Sequence, residues 1–164
     1  MQAFVLERYG APLRELSVPE PVPGPHEVLV RMVASGANHA DERTRVGEFK
    51  AICRLNFPKV MGGELSGEVI GVGGDVTGFV VGDRVYGYTG VVGMGTWAEI
   101  VAVDAAALAL REQWPALYRF LRDNEPASVH GALTSIISFQ AWLVANAACY
   151  DFRRLHRYVS SNIR

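Results

Sequence analysis

Between Phe57 and Gly87 the chain reads FPKVMGGELSGEVIGVGGDVTGFVVGDRVYG, and no helix can run far through it. Glycine recurs every few residues, and each costs about 1 kcal/mol in a helix interior relative to alanine. What such a stretch can build is short strands joined by tight turns. Leu65 to Val72 and Asp83 to Tyr88 are the expected strands. The segment GGDVTGFVVGD between them supplies Gly and Asp for turn positions that require positive φ. Nearly all of the 17 glycines and 8 prolines lie before residue 100, so the same punctuation governs the first two thirds of the chain.

The rest of that region reads the same way. Ala3 to Leu6 and Leu13 to Val18 are expected strands. Pro19, Pro21, Pro23, Gly24 and Pro25 make a stiff connector that cannot donate into a sheet. Glu27 to Ser35 alternates apolar and polar residues, the signature of a half-buried strand. His39 to Val46 is charged and free of glycine, which predicts a short helix. Gly95 to Val103 is a further strand. Short strands at this spacing predict a mainly β domain, an antiparallel barrel or sandwich.

The composition changes near Ala105. Trp114, Leu117, Phe120 and Leu121 stand at helical spacing and predict a helix over 105–123. Residues 126–150 carry no Asp, Glu, Lys or Arg, and the tail turns basic at Arg153, Arg154, Arg157 and Arg164. About 20 apolar residues would span a bilayer, but His130, Ser135, Ser138, Gln140 and Asn146 favour a helix buried against protein. Two units follow: a β domain over 1–110 and a helical extension over 111–164.

Composition excludes several function classes. A formal net charge of -1 gives no field that would steer the chain to nucleic acid or to an anionic membrane. The N-terminus MQAFVLERYG has no apolar core of a secretory signal, so the cytoplasm is the expected compartment. Cys53 and Cys149 stand in unlike contexts and are expected to be reduced thiols.

Five ordered blocks carry a resemblance: PEPVPGPHEVLVRM, SGANHADERTRVGEF, FPKVMGGELSGEVIGVG, VTGFVVGDRVYG and GTWAEIVAVD. Together they resemble the GroES-like N-terminal domain of the medium-chain dehydrogenase/reductase family. Within it they are most similar to the zinc-independent quinone oxidoreductases. The resemblance implies a GroES-like antiparallel β-barrel with short helices. It fades after Leu110, where the residues echo the family only loosely.

Zinc-dependent relatives place a cysteine where Asn38 stands and a histidine where Gly63 stands, in a triplet that here reads Gly62-Gly63-Glu64. A catalytic zinc needs three protein ligands, and Glu64 alone cannot hold one, so no metal is expected. The resemblance implies that Asn38 faces the nicotinamide cleft, as both a catalytic and a cofactor-binding position. Asp41 and Arg45 match the family's D-x-x-x-R spacing and complete the candidate catalytic set. Four residues apart on a helix, they share a face and can pair. Glu64, with Gly62 and Gly63, is expected to serve structure.

GVGGDV at Gly71 and GVVGMG at Gly90 tempt a dinucleotide-binding reading. Each is expected to run into a strand, whereas a phosphate-cradling loop opens a helix. Both are read as turns, and the chain shows no cofactor fold of its own. The resemblance implies hydride transfer from NADPH to a quinone or an α,β-unsaturated carbonyl. This chain would supply the catalytic-domain part and would be inactive in isolation. Its expected partners are that small-molecule substrate and a homo-oligomeric copy or a separate nucleotide-binding chain. A non-catalytic binding or assembly module, or a truncated remnant that keeps the barrel as scaffold, is the competing reading.

Overall fold

The computed structural model describes residues 1–37, 39–51, 54–90 and 92–113. Its strands are β1 (Gln2–Leu6), β2 (Arg14–Ser17), β3 (Glu27–Ala34), β4 (Lys59–Val60), β5 (Glu64–Val72), β6 (Arg84–Tyr88), β7 (Ile100–Asp104) and β8 (Leu108–Leu110). One α-helix, α1 (His39–Val46), and two single-turn 3₁₀ helices complete the described part. The expected mainly β, antiparallel architecture is what these residues build, arranged as two sheets. One holds three strands in the order β2-β1-β4, the other five in the order β7-β3-β5-β6-β8.

The five-stranded sheet follows from alternation. Along β3, Val28 and Val30 are fully buried while Leu29 between them is only partly so. They pack with Leu65, Val69, Val85, Val101 and Val103 into one apolar cluster. Period-2 patterning puts all of these on a single face. The pairing of β3 with β5 is irregular between Leu29 and Val30 and again between Met32 and Ala34. The second irregularity falls just before Ser35, which belongs to the site described below.

The three-stranded sheet is apolar on both sides of β1. Ala3 and Val5 pack with Ala98, while Phe4 and Leu6 join Ala11, Leu55, Met61, Met94 and Trp97 in a second core. Trp97 is the largest fully buried side chain. The Phe4 amide donates to its carbonyl at 2.8 Å, and its own amide donates to Met61 at 2.9 Å. The loop carrying it is thereby locked to β1 and to the segment before β5.

Two expectations need correction. The strand expected over Gly95 to Val103 begins only at Ile100; the residues before it make a single bridge, Ala3 with Ala98, and irregular hydrogen bonds. Burying the Trp97 ring and holding its backbone leave no regular ladder there. The helix expected from Ala105 is absent over 105–113. Ala105–Ala107 is one 3₁₀ turn, capped where the Asp104 carboxylate accepts from the Ala106 amide, and Leu108–Leu110 then extends. Pairing of β8 with the open edge of β6 outweighs the helix preference of alanine and leucine. The helical extension predicted over 111–164 falls outside the described residues from 114 onward. No helix among the described residues is long and apolar enough to cross a membrane.

Candidate functional site

The site candidates gather where the start of β5 meets the end of β6. Antiparallel register sets Glu64 opposite Tyr88 and Ser66 opposite Tyr86. Directly opposed residues share a face, so these four point away from the Leu65–Val85 core. Glu64, Ser66 and Tyr86 are buried, and Tyr88 remains 42% exposed. Asp41, 3% exposed on α1, comes close enough to act on the same phenol. Burial, then the charges of Glu64 and Asp41, push the Tyr88 hydroxyl above its ordinary range. Burial alone does the same to Tyr86. Both phenols therefore stay protonated at neutral pH.

Backbone tethers hold this corner. The Gly63 carbonyl accepts from the Thr89 amide at 2.8 Å and from Thr89 Oγ1 at 3.2 Å. The Gly62 carbonyl accepts from the amides of Gly95 and Thr96 at 2.8 and 3.2 Å. Ser35 Oγ donates to the Glu64 carbonyl at 2.6 Å and lies 3.1 Å from Thr96 Oγ1. Trp97 Nε1 donates to the Gly36 carbonyl at 2.7 Å. Four separate chain segments are thus tied within one polar layer.

Gly62 has φ of 92°, and a Cβ there would stand 2.2 Å from Trp97 Cδ1. Backbone conformation and close packing both demand glycine. At Gly63 a Cβ would meet the Tyr88 ring edge at 3.1 Å. The tyrosine ring covers the place from which a larger residue 63 would project.

Of the residues singled out from sequence, Asp41 and Glu64 are brought together around Tyr88, and Gly62 and Gly63 frame them. Asn38 lies outside the described residues. Arg45 serves a different surface. Its Nη1 donates to the Ala11 carbonyl at 2.6 Å, while Nε and Nη2 grip the Glu42 carboxylate, both at 2.7 Å. The pairing expected with Asp41 is made instead with Glu42, three residues back on α1. That pairing leaves the guanidinium free to cap the loop after β1, whose Gly10 amide also donates to the Arg45 carbonyl. The hydrogen bond from Arg45 lowers the Glu42 carboxyl below its ordinary value. Tyr88 was missed in the sequence. The signal available was the strand register, which sets a carboxylate and a phenol face to face.

Among the described residues the donor set does not fit a catalytic zinc. No group of three or more His, Cys, Asp or Glu side chains that could hold a metal occurs among the described residues. Position 63 has no side chain, and its forward space is taken by Tyr88. Every strand pairing among the described residues is antiparallel, and neither glycine string opens a described helix.

Residues 24–113, which contain the whole five-stranded sheet, match the alcohol dehydrogenase GroES-like domain. The chain belongs to that family. It is 34% identical over 102 residues to the chloroplastic quinone-oxidoreductase QR1 of Triphysaria versicolor, covering 60% of this chain and 31% of that protein. A mitochondrial NAD(P)H oxidoreductase of Dictyostelium discoideum is 26% identical over 150 residues, covering 76% of this chain and 42% of its own length. The crystal structure of an alcohol dehydrogenase superfamily protein from Novosphingobium aromaticivorans is similar with a TM-score of 0.62 and 41% identity, covering 67% of this chain and 34% of that one. The chain spans less than half the length of each of these relatives.

Proposed function

We propose that residues 1–110 form the catalytic-domain part of a zinc-independent, NADPH-dependent oxidoreductase that reduces a quinone or an α,β-unsaturated carbonyl. The observation that carries this reading is the GroES-like domain itself, with a polar corner around Tyr88 and no metal-binding group among the described residues. Likeness to a quinone-oxidoreductase and to an NAD(P)H oxidoreductase supports it. NADPH, when bound, would supply the hydride, and a nucleotide-binding domain beyond the described residues or on a separate chain would hold it. The GroES-like domain orients the acceptor and meets the negative charge that builds on its oxygen. Asn38 and Asp41 are the cleft residues by this reading, and Arg45 braces α1 against the β1 loop.

The full chain is mixed with NADPH and duroquinone, and absorbance at 340 nm is followed. It is then supplemented with a separately expressed nucleotide-binding domain of a quinone oxidoreductase. The expected outcome is duroquinone binding by the chain alone, no turnover alone, and NADPH oxidation once the second domain is added. A folded chain that binds no quinone and gains no turnover with the second domain overturns the reading.

A further inference from the structure

We propose that Tyr88 is the substrate-facing hydrogen-bond donor of this cleft, its phenol O–H serving the carbonyl oxygen of the quinone or enone. The inference rests on the function proposed above. Reduction of a conjugated carbonyl without a metal leaves growing negative charge on oxygen, and a preorganised donor is the way a protein meets it. Tyr88 has the three properties such a donor requires.

It is accessible: at 42% exposure it is the open member of a face on which Glu64, Ser66 and Tyr86 are all buried. It is held in place: its ring rests against the Gly63 backbone, and the next residue, Thr89, makes two hydrogen bonds to the Gly63 carbonyl. It also keeps its proton, because the partial burial of the phenol, and then buried Glu64 across the strand and Asp41 on α1, oppose a phenolate there. A group surrounded in this way is poorly suited to act as a base and well suited to donate. No proton leaves Tyr88 in this role; it donates a hydrogen bond and retains its hydrogen throughout.

The test compares the full chain with Tyr88→Phe, which keeps the ring against Gly63 and removes only the hydroxyl. Duroquinone, a fully substituted quinone with no free ring position for thiol addition, is titrated while tryptophan fluorescence is followed. Durene, the same skeleton without carbonyls, is the control. Tyr88→Phe is expected to weaken duroquinone binding roughly 3- to 10-fold, the range for one neutral hydrogen bond. Durene affinity and the circular dichroism melt should not change. Wild-type affinity should also fall at alkaline pH as Tyr88 ionises, a limb that Tyr88→Phe lacks. Gly63→Ala, which crowds the ring at 3.1 Å, should weaken duroquinone more than durene. Equal duroquinone affinity of wild type and Tyr88→Phe overturns the assignment of Tyr88 and leaves the proposed function standing. A folded wild type that binds no quinone overturns both.

Discussion

Replacing Gly62 by alanine should be among the most damaging single-methyl changes available to this domain. Two costs combine. With φ of 92°, residue 62 sits where an L side chain crowds its own carbonyl, costing about 1–2 kcal/mol. The new methyl would also stand 2.2 Å from Trp97 Cδ1 and 2.6 Å from Nε1, so the indole must move. Overpacking of that kind costs about 1–3 kcal/mol. Displacing the ring further strains the 2.7 Å bond from Nε1 to the Gly36 carbonyl, worth about 1 kcal/mol. The total is about 3–6 kcal/mol, a large part of the 5–15 kcal/mol that holds a typical domain together. Gly78→Ala separates the two costs, because Gly78 has nearly the same φ, 88°, with nothing within 4 Å of the added carbon. Urea titration by tryptophan fluorescence should place Gly78→Ala about 1–2 kcal/mol below wild type and Gly62→Ala about 2–4 kcal/mol lower still. If the two variants unfold at the same urea concentration, the collision with Trp97 has no energetic weight and the reasoning fails.

Arg45→Met should lower stability by about 1–3 kcal/mol, because the Ala11 carbonyl loses its 2.6 Å donor and Glu42 its partner; an unchanged urea midpoint would remove the clamp role. Stability should fall on the alkaline side. Tyr86 and Tyr88 are both raised above 10.0, so the folded chain holds protons that the unfolded chain releases. That contribution is fully present below pH 10 and is lost as pH climbs through the folded values; Tyr86→Phe should flatten the decline in melts recorded from pH 8 to 11.5. On the acid side the Glu42 contribution is present above 4.5 and disappears as pH drops through its lowered value, an effect Glu42→Gln should abolish. Added zinc should leave the melting temperature unchanged, and a clear rise on titration with zinc would reveal a ligand set that Asp41 and Glu64 help to form.

Local pattern carried most of the fold. β3 and α1 lie within a residue of where alternation and the glycine-free charged run put them, because each is specified by its own residues. β4 and β8 were invisible for the opposite reason. They hold two and three residues, and they exist only because β1 and β6 offer unpaired edges to receive them. The site divides along the same line. Gly62, Gly63, Glu64 and Asp41 were legible from motif and spacing, whereas the Arg45–Glu42 pair depended on where the β1 loop would lie. Tyr88 had no motif, and its place follows only from the register of β5 against β6.

The polar layer also sets a timetable for synthesis. Phe4 closes against the backbone of Trp97, and Ser35 and Gly36 meet Thr96 and Trp97 across 61 positions of chain. A nascent polypeptide holding β1 through β6 has both walls of this corner but neither the tryptophan that fills it nor the threonine that ties it. Long-range closures of this kind are slow, and until they form they leave apolar edges open. The ribosome must therefore release about a hundred residues before Phe4, Leu6 and Met61 find their cover, and a chaperone that binds exposed β1 would be most needed during that interval.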